Sequence, residues 1–223
     1  MDVAIVGASG QIARLLARRL VRQGDTVRGV IRAPEQAEAL QEAGVQPVLV
    51  DLEADSAEDE LAHAIRGADA VVFAAGAGPG SSVERKWSVD FGGAVHSATA
   101  AGRADVPRIV VVSSMGTDDP PEDDSVFSAY LRAKSQADVH VRRSGLQHTI
   151  VRPGRLTDAP PTGRVKAARR VERGDISRAD VAAVIAEVLG DDSSIGRTFE
   201  VVGGEALIRD AIPALADQHD TLD

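Results

Sequence analysis

Six short apolar runs mark the first part of this chain, at 3–7, 26–32, 45–51, 69–76, 106–114 and 147–154, and the segments between them have helical spacing. This alternation constrains the fold more than any other feature. A strand that is apolar throughout is buried on both faces. A strand, a helix and a second strand in succession pair the strands in parallel through a right-handed crossover. The predicted architecture is an α/β fold, a doubly wound parallel sheet in three layers (α/β/α). Helices are predicted at 10–23, 34–44, 57–66, 82–101 and 125–144. The one at 34–44 opens on proline and closes on glycine, the usual asymmetry of helix ends. The less regular remainder holds a predicted helix at 177–190 and a strand at 197–204. They are expected to complete one domain of 1–223, with about 155–223 forming a small substrate-side region.

The first strand-to-helix turn, "VAIVGASGQIA", carries Gly7, Gly10 and Ala13. A glycine turn feeding a helix N-terminus presents backbone N–H groups and the positive end of the helix dipole, a seat for pyrophosphate. Gly7 permits the tight turn, Gly10 lets backbone approach a phosphate, and Ala13 keeps the helix close to the sheet. Ser9, Gln11 and Ile12 belong to the same turn. This makes the fold Rossmann-type and the ligand a dinucleotide. The second strand ends in Arg32, where NAD-specific sites place Asp or Glu on the ribose 2′-hydroxyl. Arginine suits a 2′-phosphate, so NADP is favoured, with NAD as the alternative. Asp51 and Leu52 are expected beside the adenine, and Ala74, Ala75 and Gly76 where a ribose passes close to backbone.

The chemistry is expected in "SAYLRAK". Tyr130 and Lys134 are four apart and share a helix face. An ammonium near a phenol lowers its pKa from about 10 and lets it exchange protons with a carbonyl or hydroxyl. Tyr130 is the single tyrosine, and Lys134 is one of only three lysines, with Lys86 and Lys166. Ser113 and Ser114 end the fifth strand at the edge where ligands bind, and either serine could hold a substrate oxygen. No G-x-S-x-G elbow and no Walker lysine follows a strand.

With these motifs in this order, the chain resembles the short-chain dehydrogenase/reductase superfamily. The closest likeness is to its atypical, compact members related to sugar epimerases, NmrA-like proteins and biliverdin/flavin reductases. "GASGQIA", "VSSMG", "YLRAK", "TIVRPGRLTD", "DISRADVA" and "RTFEVVGG" carry the resemblance over nearly the whole chain. It implies Tyr130 as acid/base, Lys134 on the nicotinamide ribose, Pro153 near the nicotinamide, and Ser114 assisting, with Ser113 the alternate. Three functions follow. The first is a hydride-transferring oxidoreductase acting on a small carbonyl or hydroxyl compound. The second is a cofactor-sensing binding protein without turnover. The third is a sugar epimerase or dehydratase.

The rest of the composition excludes more than it assigns. With 43% hydrophobic and 3% aromatic residues, the core must be built of Ala, Val, Leu and Ile. The absence of cysteine removes disulfides, thiolate metal sites and a Cys nucleophile. The five histidines, at 63, 96, 140, 148 and 219, lack metal-ligand spacing, so no metal is expected. A net charge of −9 argues against nucleic acid as a partner. No apolar run approaches the ~18 residues of a membrane span, and no signal peptide opens the chain. The expectation is a cytoplasmic monomer or small homo-oligomer with a small-molecule substrate. The acidic loop at 116–126 reads as a substrate lid or a solvated surface loop. The basic stretch at 163–175 reads as a pocket border or a partner for that loop.

Overall fold

The computed structural model describes residues 1–217; His219 lies outside them. Strands β1 (Asp2–Val6), β2 (Thr26–Ile31), β3 (Gln46–Leu49), β4 (Ala70–Phe73), β5 (Arg108–Val112) and β6 (Gln147–Pro153) realise the six apolar runs. Helices α1 (Gln11–Gln23), α2 (Ala37–Glu42) and α3 (Ala57–Ala64) alternate with them. The next crossover is built from α4 (Val83–Arg85), a π-helical segment at Lys86–Gly92, and α5 (Gly93–Arg103). Helix α6 (Val126–Arg143) joins β5 to β6. Beyond them come β7 (Arg155–Thr157), β8 (Arg164–Ala168), β9 (Asp175–Ser177), α7 (Arg178–Gly190), β10 (Arg197–Gly203), β11 (Ala206–Leu207) and α8 (Ile208–Ala211).

The main sheet runs β11-β8-β10-β6-β5-β4-β1-β2-β3. The order reverses between β1 and β4, which opens a crevice at the C-terminal ends of these strands. The strands from β3 to β10 are parallel, whereas β8 pairs antiparallel with both β10 and β11. The sheet is therefore mostly rather than wholly parallel, because the basic stretch, expected to border the pocket or pair with the acidic loop, supplies the antiparallel strand β8 between β10 and β11. Alternation was hard to see there, since β8 buries only Val165 fully. Asp180 anchors this region from the first turn of α7. It is 3% exposed, and its carboxylate accepts from Gly163 N at 2.8 Å and Thr162 N at 3.0 Å.

The core follows from the two-residue strand period. Val3 and Ile5 pack on the face covered by α1 and α7, while Ala4 and Val6 face α3, α5 and α6. Two apolar layers of helix thus enclose one sheet, as the sequence predicts.

Candidate functional site

The turn after β1 is pressed against the end of β4. Gly7 has φ +83°, and a Cβ there would sit 2.5 Å from Ala75 Cα, so only glycine fits. Gly10 is the extended N-cap of α1, with no side chain to cap it and no acidic residue in the first turn. The first N–H groups of α1, at Gln11 and Ile12, therefore have no side-chain acceptor and remain available to an anion. Gly7, Ser9, Gly10, Arg32, Asp51, Leu52, Ala74, Ala75 and Gly76 line one cleft of about 300 Å³. Gln11 and Ile12, which open α1, are not among its lining residues.

Three further residues of that cleft, Gln36, Glu53 and Arg85, carry no sequence signal. Arg85 Nη2 donates to Glu53 Oε2 at 2.6 Å. Hydrogen bonds from Arg85 and Ser88 hold the Glu53 carboxyl below its ordinary value, with the Arg85 and Arg32 charges adding to them. Gln36 Oε1 is buried without a hydrogen-bond partner. Arg32 and Arg85 thus bring guanidinium donors to one end of the cleft, and Gln36 adds an unpartnered carbonyl acceptor. The glycine cradle, the uncapped helix and these donors fit a dinucleotide.

A second cleft, of about 660 Å³, opens at the ends of β5 and β6 and holds Ser113, Ser114, Tyr130 and Pro153. The sheet order places these strand ends beside those of β1 and β4. At about 4.8 Å per strand, the glycine turn and Pro153 are roughly 14 Å apart, a span an extended dinucleotide can bridge. Ser114 Oγ donates to Met115 O at 3.2 Å. Ser113 is 4% exposed and close enough to Asp138 to favour its ionised form, yet neither Ser113 Oγ nor Asp138 Oδ1 makes a well-aligned hydrogen bond.

Lys134 lines neither cleft. It is buried under the sheet edge, where Nζ donates to Val112 O at 3.1 Å, lies 3.6 Å from Asp90 Oδ1 and sits 5.3 Å over the Phe73 ring. The cation against the Tyr130 ring is Lys86, 5.6 Å from its centroid, with Nζ donating to Gly78 O at 2.8 Å. Lys86 and Asp90 both belong to the π-helical segment, which turns them inward. Asp90 also accepts from Ala77 N at 3.0 Å, so it fixes the loop after β4 and holds Lys134 at once. The scarcity of lysine was the one sequence hint for Lys86; Asp90 left none.

The acidic loop does not line the second cleft. Asp119, Glu122, Asp123 and Asp124 are exposed, as in the solvated-loop reading, and Asp118 pairs with Arg152 and, at 3.4 Å, with Arg170. The basic stretch meets both expectations, since Arg173 lines the cleft. Arg152 Nε also donates to Asp138 Oδ2 at 2.9 Å beneath the site. Burial pushes the Asp138 carboxyl up, against the pull of Arg152. Replacing Arg152 by Met strands that buried carboxylate, so Arg152→Met should cost about 3–5 kcal/mol in urea denaturation. Adding Asp138→Met should recover much of the loss. Equal stability of the single variant and the wild type would show that the pair carries no structural charge.

Comparison with known proteins agrees with this geometry. A family model described as NAD(P)H-binding matches residues 7–192. A Bacillus subtilis protein named uncharacterized sugar epimerase YhfK is 35% identical over 216 residues, covering 96% of this chain and 100% of the relative. A solved structure from Bacillus halodurans, provisionally described as an NAD-dependent epimerase/dehydratase, is 38% identical with a TM-score of 0.89, covering 96% of this chain and 100% of that one. The oxidoreductase ylbE from Lactococcus lactis is 28% identical with a TM-score of 0.86, and each chain is covered in full, at 100%. Among the described residues no helix is long and apolar enough to cross a membrane.

Proposed function

From the premise that this chain belongs to the NAD(P)H-binding family, we propose that it is an NADP(H)-dependent oxidoreductase acting on a small carbonyl or hydroxyl compound. The observation that carries this reading is the position of Tyr130. It lines a cleft with Ser113, Ser114 and Pro153, next to the cleft of the glycine turn.

In this reading the N–H groups of Gln11 and Ile12 at the start of α1 hold the pyrophosphate, the turn from Gly7 to Gly10 gives it room, and Asp51 and Leu52 flank the adenine. Ala74, Ala75 and Gly76 let a ribose lie against backbone. Lys134, locked by Val112 O and Asp90, braces the loop after β4 against which the ribose lies, and Pro153 backs the ring. The bound cofactor supplies or accepts a hydride. Tyr130 supplies the matching proton to the substrate oxygen, and Ser114 positions that oxygen, with Ser113 as the alternate. Lys86 sets a positive charge over the Tyr130 ring.

Arg32 supports NADP over NAD. A charged hydrogen bond contributes about 1.5–3 kcal/mol, so Arg32→Ala should weaken NADP(H) about ten- to a hundredfold in calorimetry. NAD(H) affinity should change far less, because it has no 2′-phosphate to lose contact with. An equal loss for both cofactors would reduce Arg32 to a strand-end arginine.

A further inference from the structure

The walls of the Tyr130 cleft narrow the chemistry of what can lie beside the nicotinamide. Met115, Phe127, Leu131, Pro153 and Leu156 supply most of its side-chain lining. Backbone groups in the lining are already engaged: Met115 N donates to Pro153 O, Gly154 N to Val201 O, and Arg155 N to Gly174 O. The hydroxyls at the cleft are those of Ser114 and Tyr130, with that of Ser113 buried behind them. All three belong to the reacting end, and Ser114 already donates to Met115 O. A sugar would bury several hydroxyls here without partners, at about 1–3 kcal/mol for each.

Two features point to what fits instead. Phe127 is 64% exposed, the highest value among the large apolar side chains described, and its ring stacks on Tyr130 at 6.0 Å and 29°. Together the two rings form an aromatic shelf at the mouth of the cleft, a surface that a flat ring system covers well. The charged groups at the rim are Arg155, Asp175 and Arg173. Arg155 Nε donates to Asp175 Oδ1 at 2.7 Å, so these two neutralise each other. Arg173 is exposed and makes no ion pair or hydrogen bond among the described residues, leaving one positive charge at the mouth.

Building on the oxidoreductase reading, we propose that the substrate is a flat, largely apolar aromatic carbonyl compound bearing a carboxylate, and not a sugar. The aromatic face lies on Phe127, the carboxylate meets Arg173, and the carbonyl oxygen faces Tyr130 and Ser114. The balance is that of ketone to alcohol. The carbonyl carbon takes the hydride of NADPH, which leaves as NADP⁺, and the oxygen takes the phenolic proton, which water restores.

Fluorenone carboxylate, its methyl ester and UDP-glucose test this. Binding of each is measured by calorimetry on the protein saturated with NADP⁺, and turnover by NADPH absorbance. The carboxylate should bind about tenfold more tightly than the ester, and Arg173→Ala should erase that advantage. Phe127→Ala should weaken both ketones about three- to tenfold, and because Phe127 is exposed the variant should stay folded. Tighter binding of UDP-glucose than of either ketone overturns the proposal, as does unchanged ketone affinity in Phe127→Ala. A wild-type protein that takes up NADP⁺ but neither ketone also overturns it while leaving the cofactor reading intact. Failure to bind NADP⁺ brings down the oxidoreductase reading itself, and the substrate with it.

Discussion

Tyr130→Phe should bind NADP(H) about as well as the wild type and lose turnover by roughly 10²–10⁴, the usual scale of general acid–base catalysis. The substitution removes one hydroxyl and keeps the ring. The stack on Phe127 and the Lys86 contact therefore survive, and the helix should not move. Lys134→Met should behave differently. It removes the bond to Val112 O and leaves Asp90, 2% exposed at its side chain, without its cation. That change should loosen the cofactor, lower turnover and lower the melting temperature together. The pattern separates an enzyme from a cofactor sensor, in which Tyr130→Phe would change nothing measurable. Full activity of the Phe variant on a substrate the wild type reduces would end the acid–base role of Tyr130.

Gly10→Val should abolish measurable cofactor binding while leaving the fold in place. At φ −66° and ψ 155° the position suits any residue, and its Cβ would meet Gly7 O at 3.2 Å, a contact that a shift of a few tenths of an ångström relieves. The valine methyl groups would then stand where a phosphate must approach the α1 N-terminus. Gly7→Ala makes the contrast. Its positive φ and the 2.5 Å contact with Ala75 Cα strain the backbone itself, so stability should fall by about 1–3 kcal/mol or more. Thermal melts and calorimetry on the two variants separate a binding glycine from a folding glycine. Near-normal NADP(H) affinity in a folded Gly10→Val protein would rule out phosphate binding at this turn.

The layered sheet and the cofactor turn were legible because their signals are local. Strand and helix periods of two and 3.6 residues repeat within each element. The glycine turn is one short run, and the Tyr130–Lys134 pair sits on one helix. The last part of the chain was harder to read, since β8, between β10 and the short edge strand β11, buries one residue fully and shows little alternation.

The sequence alone thus determined the α/β/α architecture and the glycine turn after its first strand, and it singled out Ser113, Ser114, Tyr130 and Pro153, which the fold brings to one cleft. Only the tertiary structure decided the rest. The π-helical register of Lys86–Gly92 places Lys86 and Asp90 inside, and the partners that occupy them come from two other places along the chain, Ala77 N and Gly78 O from the loop after β4 and Lys134 from α6. The cleft beside Tyr130 combines Met115, Phe127, Leu156 and Arg173 from two loops, a helix and a strand. Such contacts leave no period in the sequence, because hydrogen bonds and apolar walls between distant segments depend on where the chain returns and not on the spacing of residues along it.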